Sequence, residues 1–374
     1  MQVSDSPSQA ITGTERMHYM DAMRATLMML GVVLHSAQVY NPLKQWLIYS
    51  DNPETVMMYV ASFIHIFRMP AFFVVSGFFC HLTLQRYDIK KFLDIRIKRL
   101  VIPFLVTAFT LNSIQAFILS YTGWRDFDFI RYITNGGYVS HLWFLVILTL
   151  YFLFTSFAAA FMKKIVTFCG ELITRVFLFI PSVVMVILLP FISIGILVTG
   201  KLGMPLYTNI FGLIKVFELC HYLPYFVFGM ALSYKPELLS RLHSGKTSCM
   251  LICTVFATTA MLRVIPPGGL AQSAAETWYS HFCSWTGVAV CFYIFHKFLN
   301  NASKMAVFLS DASYTVYLFH HVLVVFFGLL CIRFEVSAFV GVPVMIIVIF
   351  MLTLLIHKYI ILRFRFIRYL FNGK

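Results

Sequence analysis

Residues 19–36 read YMDAMRATLMMLGVVLHS, an apolar segment that is long enough to cross a bilayer and yet contains Asp21, Arg24 and His35. In a helix, 11 residues make about three turns, so Arg24 and His35 share one face and lie about 16 Å apart along the axis. Asp21 is close enough to pair with Arg24 on the helix surface. A charge without a partner in lipid costs several kcal/mol, so these side chains are functional-site candidates. The alternatives are an Arg24 that reaches the lipid headgroups and a histidine bonded to a neighbouring helix.

The composition excludes a soluble protein. The chain has 374 residues, of which 60% are hydrophobic and only 12% charged, too few polar groups to cover a soluble surface. Several segments run long enough to cross the hydrocarbon core of a bilayer. We therefore predict an all-α, polytopic bundle of transmembrane helices surrounded by lipid. The net charge of +14 belongs to the loops between the spans, so no nucleic-acid partner is predicted.

Ten candidate spans follow from the apolar segments. Their approximate ranges are 21–41, 58–82, 99–121, 141–162, 176–199, 208–233, 248–265, 277–299, 311–332 and 338–362. They form a single transmembrane domain, residues 19–365, flanked by short cytoplasmic tails at 1–18 and 366–374. The first apolar segment has no small-residue cleavage pattern, so we expect no removable signal peptide.

The distribution of Lys and Arg orients the spans. Most of these residues fall in the connections after the second, fourth, sixth and eighth spans and in the C-terminal tail. Because cytoplasmic loops carry an excess of Lys and Arg, both termini are predicted to face the cytoplasm. Arg24 then lies about one turn inside the cytoplasmic face, and His35 lies in the outer half of the bilayer.

The second span carries a polar stripe. Residues 63–79 read FIHIFRMPAFFVVSGFF. His65 and Ser76 are again 11 residues apart and share a face, with Arg68 about 60° away. Such a stripe must line a polar cavity or pair across helices, which makes these side chains candidates for substrate binding. We interpret Gly77 as a packing contact between helices.

A basic cluster of Arg96, Lys98 and Arg99 begins the third span at its cytoplasmic end. An ordinary anchor at the cytoplasmic face would have the same composition. Clustered basic groups also bind polyphosphates, so the three residues are candidate ligands for the phosphates of a substrate.

Further histidines occur in later spans. His141 and Trp143 begin the fourth span at the outer interface, where tryptophan is common, although an indole ring can also stack on the apolar face of a sugar. His320 and His321 lie on adjacent faces of the ninth span. Either can be a buried structural group, and we expect one of them to be functional. The spacing of His and Cys shows no metal-binding motif, and no metal site is predicted.

At these residues the chain resembles the membrane acyltransferase-3 family, whose signature is Arg-x10-His in the first span, here Arg24 and His35. The resemblance is spread over the whole chain and extends to family members that succinylate osmoregulated periplasmic glucans. It is carried by Tyr19–Tyr40, Phe63–Phe79, Arg96–Leu105, Ser140–Leu145 and Tyr314–Val322.

The resemblance implies a multi-pass O-acyltransferase of the bacterial inner membrane. Its donor would be a cytoplasmic acyl-CoA, succinyl-CoA, with no bound cofactor, and its acceptor a hydroxyl of a periplasmic β-glucan. Other glucan biosynthesis proteins would be partners. His35 would act as general base or accept the acyl group, and Arg24, held by Asp21, would orient the donor. Arg68 would stabilise the oxyanion or bind the distal carboxylate of a dicarboxylic acyl group.

Two alternatives are open. An acetyltransferase for another surface polysaccharide would carry the same signature. A transporter or flippase also places charged residues on a path across the bilayer. Transporters commonly contain inverted repeats with broken helices at matching positions, and the sequence shows no such symmetry.

The predicted orientation can be tested by cysteine labelling in a cysteine-depleted background. A cysteine at Asn52 or Asn135 should react with a membrane-impermeant thiol reagent added to intact spheroplasts, because both positions are predicted to lie outside. A cysteine at Gln85 or Gly245 should react only after lysis. The reverse pattern would place His35 near the cytoplasm and contradict transfer across the membrane.

Overall fold

The computed structural model describes residues 17–263, 269–301 and 303–374, and most of them are helical. The first seven helices, α1–α7, are His18–Gln38, Thr55–Arg86, Ile89–Arg96, Ile102–Phe109, Leu111–Tyr121, Phe129–Thr134 and Trp143–Phe161. A π-helical turn, Ile97–Val101, joins α3 to α4, and a 3₁₀ turn, Ser140–Leu142, precedes α7.

Ten further helices follow in the second half of the chain. Helices α8–α17 are Lys163–Phe179, Ser182–Leu188, Pro190–Lys201, Val216–Leu232, Pro236–Leu242, Gly245–Leu262, Leu270–Phe298, Lys304–Arg333, Ala338–Ile356 and Arg365–Asn372. A second π-helical turn, His357–Ile361, follows α16. An antiparallel hairpin of two short strands, β1 (Asn209–Ile210) and β2 (Ile214–Lys215), precedes α11.

The helices are those of a multi-pass membrane protein. Within the described residues, seven helical segments are long and apolar enough to cross a membrane. The number becomes eight if α11 and α12, which meet at an angle of 119°, are counted as one broken span. The long helices α1 and α14 are not among the seven. The predicted class, an all-α membrane protein, is confirmed.

Two predicted spans have different boundaries in the structure. The segment 176–199 is divided, because α8 ends at Phe179 and a new helix starts after Pro181. Proline lacks the N–H that would continue a helix, and its fixed φ favours the first turn of the next one. The segment 208–233 begins as the hairpin and becomes helical only at Val216.

Helix α1 lies at the centre, packed against α2, α15, α14 and α16, and α2 packs in turn against α11. The contact between α2 and α11 is backbone to backbone. A Cβ at Gly77 would overlap the carbonyl oxygen of Phe226, and one at Gly229 would overlap that of Val74. Small residues permit such close approach between helices in a membrane. The predicted packing role of Gly77 is confirmed.

Buried apolar side chains form two clusters along α1. The first surrounds its N-terminal half and includes Met23, Phe73 and Phe226. The second surrounds its C-terminal half and includes Val32 and Val324. Because these clusters fill most of the space around α1, its polar side chains are restricted to the faces that line cavities.

Residues 366–374, predicted to form a tail, are mostly helical and lie against the bundle. Helix α17 packs on α4 and α15, and the rings of Phe371 and Phe319 are 5.0 Å apart. The side chains of Asn372 and Lys374 line a cavity beside Arg24.

Candidate functional site: two cavities along one helix

Two cavities lie along α1, one near each end. The arginine cavity, of about 170 Å³, is lined by Arg24 and Met28 of α1. The histidine cavity, of about 370 Å³, is lined by His35 and Gln38 further along the same helix. Helices α2, α7 and α15 contribute side chains to both cavities. One set of helices thus holds two sites of different chemistry.

Arg24 and Arg96 give the arginine cavity its charge. Asp21 Oδ1 lies 3.3 Å from Arg24 Nη2, as the spacing of the two residues predicts. Arg96 is held from two sides: its Nη2 donates to Thr83 Oγ1 at 2.9 Å, and its guanidinium lies 4.5 Å from the ring centroid of Phe152. A guanidinium fixed in this way is a preorganised site for an anion.

The remaining predicted members of the basic cluster differ in placement. Arg99 lines the arginine cavity, whereas Lys98 does not. Lys98 Nζ instead pairs with Asp94 at 2.8 Å, one turn back along the chain. Across the cavity, Lys374 forms an ion pair with Asp311.

Five histidines line the histidine cavity, and the rings of four of them form a cluster. The ring centroid of His35 is 4.8 Å from that of His321 and 5.4 Å from that of His320. The ring of His141 stacks on His321 at 4.5 Å. On the other side, His35 stacks on Trp46 at 5.5 Å. The helices therefore join residues that are almost 300 positions apart in sequence.

The hydrogen bonds of two of these rings fix their tautomers. His320 Nδ1 lies 2.7 Å from the carbonyl oxygen of Tyr317, and His321 Nδ1 lies 2.5 Å from Gln115 Oε1. Since both partners can only accept, each Nδ1 carries the proton in the neutral ring. Nε2 of each ring then keeps its lone pair, which can accept a proton or a hydrogen bond.

Arg68 and His320 converge above Gly31. A Cβ built on Gly31 would lie 2.8 Å from Arg68 Nη1 and 3.2 Å from His320 Nε2. Within the described part of the chain, no Asp or Glu pairs with Arg68. The guanidinium therefore remains available for an anionic ligand.

Several polar atoms around this cavity are buried without a hydrogen-bond partner. They include His35 Nδ1, both ring nitrogens of His141, His320 Nε2 and Arg68 Nε. Unpaired buried polar groups are destabilising, so such a concentration indicates a site completed by a ligand or by water. Among the described residues, no group of three or more His, Cys, Asp or Glu side chains could hold a metal ion.

Aromatic rings separate the two cavities. Phe144 lines both of them. Its ring lies 5.1 Å from that of Phe72 on the side of the arginine cavity and 4.7 Å from that of Tyr317 on the side of the histidine cavity. Tyr317 is held in place by a 2.7 Å hydrogen bond from its hydroxyl to the carbonyl oxygen of His141.

Comparison with known proteins identifies the family of this chain. The family model of the acyltransferase-3 domain, described as an acyltransferase domain, matches residues 17–358. The chain belongs to the acyltransferase-3 family. It is therefore a membrane acyltransferase, and family membership supports the enzyme interpretation over the transporter interpretation.

Individual relatives cover nearly the whole chain. Glucans biosynthesis protein C of Escherichia coli (strain SMS-3-5 / SECEC) is 28% identical over 96% of this chain and 95% of its own length. The proteins of the same name from Shigella dysenteriae serotype 1 (strain Sd197) and Escherichia coli O9:H4 (strain HS) give the same values. No solved structure matches the chain.

The structure distributes the predicted site residues between the two cavities. The predicted residues that line the histidine cavity are His35, His65, Arg68, His141, Trp143, His320 and His321. Those that line the arginine cavity are Arg24, Ser76, Arg96 and Arg99. His65 and Ser76, predicted to share a face, line different cavities, because the ring of Phe72 lies between them along α2 and contacts Phe144. Asp21 contacts Arg24, and Lys98 lines neither cavity.

Sequence reasoning missed three members of the histidine cavity and its surroundings: Trp46, Gln115 and Tyr317. For Gln115 a signal existed, since it lies one turn after Asn112 in an otherwise apolar helix. Trp46 lies in a loop, and its position against His35 depends on the tertiary structure alone.

A methyl group at Gly31 is expected to inactivate the enzyme without unfolding it. In Gly31→Ala the new Cβ displaces Arg68 and His320, while alanine favours the helix. Acyl transfer should fall by about tenfold or more, with little change in melting temperature. The matched control is Gly195→Ala on α10, where a Cβ would have no atom within 4 Å. Equal activity of both variants would contradict the assignment of this cavity.

Proposed function

We propose that the protein transfers an acyl group, namely a succinyl group, from cytoplasmic acyl-CoA to hydroxyls of a periplasmic β-glucan. The observation that carries this proposal is the pair of cavities along α1, one with arginines and one with histidines. Glucans biosynthesis protein C, whose name refers to glucans, is a relative over nearly the full length. No cofactor beyond the acyl-CoA donor is required.

The arginine cavity is the proposed site of the donor. Arg24, Arg96 and Arg99 supply guanidinium groups for the phosphates of CoA, which bind such forked donors in bidentate fashion. The thin pantetheine arm then extends along α1 towards His35, about 16 Å further on. To reach it, the arm has to displace the rings of Phe72 and Phe144, so donor binding opens the aromatic partition.

The histidine cavity is the proposed site of transfer. The acceptor hydroxyl oxygen attacks the thioester carbonyl carbon, the carbon–sulfur bond breaks, and the hydroxyl proton passes through His35 to the thiolate of CoA. His35 acts as general base in this step. The lone pairs on Nε2 of His320 and His321 accept hydrogen bonds from the sugar hydroxyls and orient them.

Arg68 is the proposed determinant of the acyl group. It lines the histidine cavity and has no acidic partner among the described residues. The distal carboxylate of a succinyl group supplies the missing anion, whereas an acetyl group leaves the guanidinium unpaired. This favours a dicarboxylic donor over the acetyltransferase alternative.

The proposed setting is the bacterial inner membrane, with a single transmembrane domain over residues 19–365 and both termini cytoplasmic. The ten proposed spans are the seven apolar helical segments, the broken pair α11 and α12 counted as one span, and the long helices α1 and α14. The proposed partners are the lipid bilayer, acyl-CoA, the glucan and other glucan biosynthesis proteins.

The deciding experiment is mass spectrometry of periplasmic glycans from cells that contain the wild type, no protein or His35→Ala. Loss of the general base should lower acylation by about 10²- to 10⁴-fold, while membrane insertion is unchanged. His221→Ala is the control, since His221 lies on α11 and lines neither cavity. Normal acylation by His35→Ala would contradict the mechanism, and unmodified wild-type glycans would contradict the proposed acceptor.

Arg68→Gln should change the preference between donors. Loss of a charge-assisted hydrogen bond should slow transfer from succinyl-CoA by about 10- to 100-fold and affect acetyl-CoA less. Lys44→Gln is the control, because Lys44 is a cation that pairs with Asp51 and lines neither cavity. An equal loss with both donors would instead assign Arg68 to the oxyanion.

A further inference from the structure

A second polar groove opens beside the histidine cavity. This loop groove, of about 380 Å³, lies between α5, the loop after it, α6 and the segment before α7. It shares Leu47, Arg125 and Ser140 with the histidine cavity, so the two are continuous. A molecule bound in the groove can therefore extend to His35.

The side chains of the loop groove are suited to a neutral, polyhydroxylated ligand. Gln115, Asn135 and Asp126 offer planar groups that can bond to neighbouring hydroxyls, whereas the amide nitrogen of Asn112 already donates to the carbonyl oxygens of Tyr138 and Val139. Two arginines and two aspartates line it, so neither sign of charge dominates. A polyanion would be matched by a basic groove and a lipid tail by an apolar one, and this groove is neither.

Gln115 connects the groove to the histidines. Its side chain is 4% exposed, and its Oε1 accepts the hydrogen bond from His321 Nδ1. In the described part of the chain, its amide Nε2 forms no hydrogen bond, and because Gln115 lines the groove, the two N–H donors are available to a ligand there. A ligand bonded there would reinforce the orientation of His321.

The backbone is strained where the groove meets the histidine cavity. Ser140 has φ of +43°, in the left-handed region, which costs a non-glycine residue about 1–2 kcal/mol. The preceding segment is held in place by Gly136, whose backbone packs directly on that of Gly212. Such strain is typical of functional sites, and the next residue in the chain is His141.

We propose that the loop groove binds the part of the glucan chain next to the sugar that is acylated. This inference rests on the proposed function. The groove holds β-linked glucose units through hydrogen bonds to their hydroxyls, while the reacting sugar enters the histidine cavity. An extended acceptor is therefore preferred over a short one.

Binding tests this proposal independently of catalysis. The protein carrying His35→Ala, which cannot complete transfer, is titrated with a fluorescent linear β-linked gluco-oligosaccharide and with the corresponding disaccharide. Adding Asp126→Ala and Asn135→Ala should weaken binding of the longer probe by about tenfold or more, since each removes a hydrogen-bonding group. Binding of the disaccharide should change by less than about twofold.

The matched control is Asn52→Ala, an exposed outer-loop position that does not line the groove. Unchanged affinity of the groove variants for the longer probe, or an equal loss in the control, would overturn the proposal. Steep weakening by salt would do so as well, because it would indicate an anionic polymer instead. A wild type that binds the probe through the groove but does not acylate glycans would contradict only the proposed function.

Discussion

The energetic cost of polar side chains within a bundle of apolar helices governs this structure. Arg24, Arg68 and the four clustered histidines are too expensive to face lipid, so each must line a cavity or pair with another helix. Gly31 makes one such meeting possible, because the absence of a side chain leaves room for Arg68 and His320. The polar side chains therefore lie where the packing of the helices leaves a cavity.

The two cavities separate the two chemical demands of the family. The proposed acyl-CoA donor carries phosphates, which bind fixed cations, and the arginine cavity is lined by arginines from α1, from the end of α3 and from the π-helical turn after it. Activation of a hydroxyl needs a neutral base with an available lone pair, and the histidine cavity supplies several. Phe144, which lines both cavities, lies between them.

Side chains of helix α15 also line both cavities, at successive positions along the helix. The arginine cavity is lined by Ser310, Asp311, Ser313 and Tyr314, and the histidine cavity by Tyr317, His320 and His321, which is the spacing expected of successive helical turns. The carbonyl oxygens of Val316 and Tyr317 accept from His320 Nδ1, and the amide of Gln115 accepts from His321. A carbonyl group of the same helix and an amide group of a distant helix therefore orient the rings of two adjacent histidines.

The sequence by itself determined the class of protein and the helical spans in outline, and it predicted most of the polar side chains that line the two cavities. The apolar composition requires a membrane environment. A charged residue within an apolar segment is energetically costly in lipid, and this identifies it as a candidate site residue. Eleven-residue spacing correctly placed Arg24 and His35 at cavities along one helix. It could not show that Phe72 and Phe144 divide the path between them, since that contact joins two helices.

Only the tertiary structure decided which polar groups meet. Lys98 looked equivalent to its basic neighbours, but it lies on the side of the helix where Asp94 is its partner. Gln115 and Trp46 reach the histidines through the packing of α5 and of the loop after α1, which no local period encodes. Helical periodicity specifies the face of one helix, whereas a site built from several helices and loops depends on how they pack together.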